Sequence, residues 1–472
     1  MKPIAKERFE ALIAHTRQPP AAGVCSKELE WYASDDEILL ATIIIDLDNE
    51  FSTTILGRDA DSKYRCINFP MIFEDIEESR KYMFTETKKI LAEGESVFSQ
   101  GDESNKKQDL FHIICAKEKI NPHFEVVRSL KEYSSAREII AELMPHFKDV
   151  DGNFIKDFQS TGFDSRIWEL YLFTYLTEER LFINREYEAP DFLVSDGRQK
   201  VAIEAVTVNA SQENEDIENL TPEKIVELLK NDIPLKFGSA LFSRMNRKNK
   251  KYWELEHVKD YPLIFAIADF SSQGSMRWSS TALSKYLYGM QHDWHISDDG
   301  QLIINPTEIE FTKANGKPPI PGFFFSKDAE YISAVLFSAT GTISKFIRMG
   351  KMAGFGDSSI AVKYSGLRYD HSHSLYPNKV FFVVDSNYKE SWGSGISIFH
   401  NPIALYPLSR EDFPSVAHYF MEKDGQIASY LPTFYPFNGT TLMHSNTDIV
   451  TKEDFDSLHS YFSTVTGKAI DW

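Results

Sequence analysis

The run Lys200-Val-Ala-Ile-Glu-Ala-Val-Thr-Val208 constrains this chain more than any other stretch. Its residues are β-branched or small on both faces, the pattern of a strand covered on both sides in the middle of a sheet. Glu204 sits inside that run, where a carboxylate needs a proton, a cation or a metal to offset its lost hydration. Upstream, Asp196-Gly197 is a turn signal between two β-rich runs, Asp191–Ser195 and Lys200–Val208, so the two are expected to form a hairpin. A two-residue loop would set Asp191 opposite Ala202, and a four-residue loop would set it opposite Glu204. Either even count places both acids on one face at roughly 5–8 Å, whereas an odd count separates them.

The neighbouring segments extend this pattern. Asp164 is expected to cap a helix running to about Thr177. Its apolar residues (Ile167, Trp168, Leu170, Tyr171, Leu172, Phe173, Tyr175 and Leu176) surround it almost completely, which marks a buried helix. Glu169 is the only carboxylate between the cap and the far end of that helix, and Arg166 is its simplest partner. Phe182–Tyr187 reads as a strand, and an acidic loop follows Val208. Thr221-Pro222 opens a helix expected to reach about Lys251, and the run from Pro262 to Ala268 reads as a fully buried strand. Helix, strand, strand, strand, helix, strand is the grammar of an α/β core.

These residues resemble the PD-(D/E)xK nuclease superfamily, the restriction-endonuclease-like fold. The resemblance covers residues 151–275 at most, and the flanking regions fit an uncharacterised bacterial group. It implies that Glu169, Asp191 (in Pro190-Asp191) and Glu204 (in Glu204-Ala205-Val206) are the site acids. It also implies that Asp191 and Glu204 hold Mg²⁺ or Mn²⁺ with the main-chain carbonyl of Ala205, while Glu169 contributes directly or through water. The family lysine belongs two residues after the strand glutamate, and Val206 stands there. Relatives supply it from the following helix. Here Lys236, Arg244, Arg247, Lys248, Lys250 and Lys251 occur with no acid between them, and Arg244, Lys248 and Lys251 fall at helical spacing. Lys248 is the expected replacement, with Lys251 next. The implied activity is metal-dependent hydrolysis of DNA or RNA phosphodiesters, and the alternative is an inactive nuclease-fold module for binding or assembly. A nuclease core with large flanking regions also resembles anti-phage defence effectors, acting with a second copy or a defence-system partner protein.

Charge limits this reading without excluding it. With 51 Lys+Arg against 70 Asp+Glu the net charge is −19, so nucleic acid would need a local basic surface. The expected surface combines Arg244, Arg247, Lys248 and Lys251 with Lys345, Arg348 and Lys351 of a glycine-punctuated stretch that lacks Walker spacing. The longest apolar run, Ile38–Ile45, is far short of the roughly 18–20 residues of a membrane span. The first residues lack a secretory pattern, and three scattered cysteines (Cys25, Cys66, Cys115) suit neither a disulfide framework nor a zinc site. A cytoplasmic protein that avoids membranes is therefore expected.

Residues 1–150 read as an α+β region, with a hairpin of Ile38–Asp46 and Phe51–Leu56, a strand at Tyr64–Phe69 and a helix at Glu78–Leu91. Asp46 and Asp48 read as turn formers. Residues 276–472 read as mixed α/β, with a helix near Thr281–Met290 and strands at Ala334–Ser338 and Val380–Asp385. There Asp370-His371-Ser372-His373, with His292 and His295 elsewhere, offers a weaker zinc alternative.

Overall fold

The computed structural model describes all residues except 18–24, 69–70, 105–108, 210–220, 231, 273, 300, 312–321, 372–376 and 446–472. It is a mixed α/β structure built around one eight-stranded sheet. The strands are β1 (Phe182–Asn184), β2 (Phe192–Ser195), β3 (Lys200–Asn209), β4 (Leu263–Phe270), β5 (Ala334–Ser338), β6 (Ile396–His400), β7 (Ala417–Met421) and β8 (Ile427–Tyr430). They lie in the order β8-β7-β6-β5-β4-β3-β2-β1. β1, β2 and β3 run antiparallel in succession, whereas β3, β4 and β5 are mutually parallel. The parallel strands are apolar because both faces are covered; β4 is buried from Leu263 to Asp269.

Helix α1 (Phe163–Glu178) packs on this sheet, its apolar residues buried on every side. The Trp168 indole donates to the Ala266 carbonyl at 2.9 Å, and the hydroxyls of Ser165 and Thr207 meet at 3.0 Å. These two contacts fix the helix over β3 and β4. Its start differs from expectation: Gly162 occupies the cap position and no side chain caps the helix. Asp164 lies in the first turn instead, where burial raises its pKa.

The single helix expected from Thr221 to Lys251 is two, α2 (Pro222–Lys230) and α3 (Asp232–Met245). Pro234 explains the break, because its ring would clash with a preceding helical carbonyl but is tolerated in a first turn. Helix α4 (Ser280–Tyr288) follows β4, and α5 (Ile343–Met352) follows β5.

An antiparallel sheet occupies the N-terminal region, where Leu39–Asp46 pairs with Phe51–Arg58. The expected third strand is Tyr64–Cys66, with Phe69 outside the described residues, and the expected helix spans Ile76–Glu93. Asp46 accepts from the N–H groups of Asp48 and Glu50, as a turn former does. The boundary expected at residue 275 runs through a shared sheet, since Ile264 of β4 pairs with Ala334 of β5. One apolar core likewise runs from Phe9 to Val416. Among the described residues no helix is long and apolar enough to cross a membrane.

Candidate functional site

Ser195 pairs with Lys200 across the hairpin, so its loop holds the four residues Asp196 to Gln199. The register Phe192↔Ile203 then carries Asp191, one residue before β2, to the position opposite Glu204. Asp191 Oδ2 accepts the Ala205 N–H at 2.8 Å, and the Asp191 carboxylate lies near enough to Glu204 to raise its pKa. Glu204 is 5% exposed. Burial and the adjacent Asp191 charge push its carboxyl up to about 8, although the Tyr252 hydroxyl and Arg244 pull the other way. Such a pair holds a proton at neutral pH, or gives it up when a cation takes its place.

Glu169 reaches the same region from α1. Its Oε1 accepts from Arg166 Nη1 at 2.8 Å, and its Oε2 from Arg185 Nη2 at 3.4 Å. Burial, then the Asp191 charge, still push its carboxyl up to about 7. Arg185 follows β1 and stacks on the rings of Phe147 and Phe192, at 3.8 and 4.7 Å, which holds its guanidinium against Glu169.

The basic residues separate sharply. Arg244 Nη1 lies 3.4 Å from Glu204 Oε1, and its side chain is half-exposed. Arg247 lies 4.7 Å over the Tyr252 ring, and its Nη1 is buried without a hydrogen-bond partner. Lys248 and Lys251 do not continue the Arg244 face, because α3 ends at Met245. Lys248 is exposed on a bend. Lys251 Nζ donates to the Met245 carbonyl at 3.0 Å and to Asn246 Oδ1 at 3.2 Å, closing the helix end.

The second basic stretch is also corrected. Lys345 and Arg348 are 0% and 2% exposed and form a buried cluster with Glu390, so they offer no surface for a phosphate backbone. The reason is packing: Gly350 brings α5 so close to the Ser134–Leu143 helix that an added Cβ would lie 2.3 Å from the Ser135 carbonyl oxygen. The other side of α5 is covered as well, where Lys345 and Arg348 meet Glu390. Lys351 is half-buried, with Nζ on the Asp357 carbonyl at 3.2 Å. Of the histidines, His371 Nε2 meets the Pro432 carbonyl and His292 Nε2 the Gly425 carbonyl, while His373 lies outside the described residues.

Asp191 and Glu204 form a compact oxygen-only donor pair, the chemistry that suits a hard divalent cation which keeps most of its waters. The two arginines hold Glu169 apart from that role. Among the described residues no three His, Cys, Asp or Glu side chains form a metal-binding group. Sequence reasoning missed Arg185 and Tyr252. Arg185 directly follows β1, where the β1–β2 register continues to Phe192, the ring it stacks on. Tyr252 had no local signal. Comparisons with family models, curated proteins and solved structures find no match to this chain.

Proposed function

We propose that this protein is a magnesium- or manganese-dependent phosphodiesterase acting on DNA or RNA. One observation carries the reading: two carboxyls, Asp191 and Glu204, stand opposite each other across the β2–β3 hairpin with too little positive charge beside them. A structural ion pair would be neutralised; this pair is left with a proton to exchange. The order of α1, β1, β2, β3, the α2–α3 pair and β4 supports the reading, because it follows the restriction-endonuclease-like arrangement that the sequence resembles.

A divalent ion bound by Asp191 and Glu204 would polarise a phosphoryl oxygen and acidify a bound water. The chain supplies the remainder. The Ala205 N–H orients Asp191, and the Tyr252 hydroxyl near Glu204 favours its charged form. Arg244, half-exposed beside Glu204, binds phosphate oxygens and takes the electrostatic role of the lysine that Val206 displaces, while Arg247 stacks on the Tyr252 ring and steadies it. Glu169 sits near neutrality and can pass a proton.

Incubation of the full chain with plasmid, single-stranded DNA and RNA, in Mg²⁺, Mn²⁺ or EDTA, tests this directly. Chelator-sensitive cutting that disappears in Asp191→Ala and Glu204→Ala is expected. Cutting that persists in Asp191→Ala overturns the assignment. The second reading, a nuclease-fold module that binds without cleaving and acts in assembly or defence, is favoured by Val206 and by the two arginines on Glu169. Salt-sensitive binding with no cleavage in any metal selects it.

A further inference from the structure

A second buried polar group lies at the other end of the parallel strands. Asp269 is the penultimate residue of β4 and pairs with Val208 of β3, four rungs beyond the Phe265↔Glu204 pair. It is 2% exposed, and among the described residues no Lys, Arg or His acts on its charge. The chain leaving β4 folds back around it. The Ser271 N–H donates to Asp269 Oδ1 at 2.9 Å, and the Ser275 hydroxyl to the Asp269 carbonyl at 2.6 Å. The Ser275 N–H meets the Ser272 carbonyl at 3.1 Å, and the Ser279 N–H meets the Ser275 carbonyl at 3.0 Å. Gly274, at φ 71°, allows that reversal, and the Arg277 guanidinium packs over it.

Among the described residues of this fold-back, four buried oxygens have no hydrogen-bond partner: Asp269 Oδ2 and the hydroxyls of Ser271, Ser272 and Ser279. Buried polar atoms are seldom left so, and with the hydroxyls of Ser271 and Ser279 close to the Asp269 carboxyl and Ser272 next in the chain, one shared occupant accounts for all four. Burial raises the Asp269 pKa, yet the hydroxyls of Ser271, Ser279 and Ser275 are near enough to favour its charged form. Those of Ser271 and Ser279 are not aligned as hydrogen bonds onto the carboxylate, so these oxygens have lone pairs to spare. A water would satisfy the hydroxyls and a proton would neutralise the carboxyl, whereas one bound cation does both. Oxygen donors alone select a hard cation, and a single carboxylate among neutral hydroxyls matches one positive charge, where Ca²⁺ sites draw on several carboxylates.

We infer that Asp269, Ser271, Ser272 and Ser279 form a buried binding site for an alkali-metal cation, which ties the end of β4 to the start of α4. The site is separate from the Asp191–Glu204 pair and does not depend on catalysis.

The test is thermal unfolding of the full chain in N-methylglucammonium chloride, titrated with NaCl, KCl or RbCl at constant ionic strength. At least one alkali ion should raise Tm saturably, by about 1 °C or more at tenfold excess over its Kd. The response should vanish in Asp269→Asn and weaken in Ser279→Ala. Ser271→Ala and Ser272→Ala serve the same purpose if Asp269→Asn does not fold. Anomalous scattering from Rb⁺ in crystals should place the ion among these four oxygens. An identical Tm in every salt, a response that survives in the site variants, or water alone at the position would overturn the inference.

Discussion

Two buried carboxylate centres in this molecule are built in opposite ways. Around Glu390, Lys345 Nζ donates at 2.6 Å, Arg348 donates through Nε and Nη2 at 2.8 and 2.9 Å, and the Tyr388 hydroxyl donates at 2.7 Å. Burial alone would raise the Glu390 carboxyl, but the Arg348 and Lys345 charges outweigh it and hold the group far below the ordinary carboxylate range. Around Glu204 the balance reverses: burial and a second carboxylate outweigh one half-exposed arginine and a tyrosine, and the pKa rises. The first centre has more partners than its charge requires, which suits a fixed joint. The second has fewer, which suits a site that exchanges protons and cations. Buried charge is therefore no guide to function until its partners are counted.

Breaking each centre should produce a different loss. Asp191→Ala should reduce cleavage by about a thousandfold or more, equivalent to about 4 kcal/mol of barrier, with little change in Tm; a plasmid-cutting time course beside a melting curve checks both. Glu390→Ala should do the reverse, destabilising the fold by about 3–5 kcal/mol because Lys345 and Arg348 are left buried and unpaired, as denaturant unfolding would show. Arg247→Ala should slow cutting by about tenfold or more, and Lys248→Ala by less than about twofold, which separates the residue beside Tyr252 from the exposed one on the bend.

The smallest effect sharpens the contrast through pH. Glu204 has a folded pKa raised to about 8, so metal-free stability from this group is complete below its unfolded value near 4.5 and is lost as pH rises through 8. Glu204→Gln should flatten that decline between pH 5 and 8, and saturating Mg²⁺ should flatten it for the parent protein. A pH–stability curve unchanged by Glu204→Gln would break the comparison.

The hairpin was legible because its information is local. A two-residue side-chain period, a turn dipeptide and an apolar run place Asp191 and Glu204 on one face for any even loop. The four-residue loop, which decides between Ala202 and Glu204 as the opposed residue, was not legible. The basic run after Arg244 misled because composition shows charge but not where a helix stops. Pro234 splits the segment, and Lys251 ends α3 by bonding the Met245 carbonyl. Lys345 and Arg348 misled for a different reason: their helical spacing is correct, but the side of α5 that meets solvent depends on packing against a distant helix.

The amino-acid order by itself determined the α/β class, the buried character of α1, β3 and β4, and the hairpin that carries Asp191 and Glu204, because periodicity and turn chemistry act over a few residues. Only the tertiary structure decided which charges meet. It brought Arg185 to Glu169, Arg244 and Tyr252 to Glu204, and Lys345 and Arg348 to Glu390. These partners come from segments far apart in the chain or from opposite ends of an element, and their electrostatic roles arise only when burial removes water from between them.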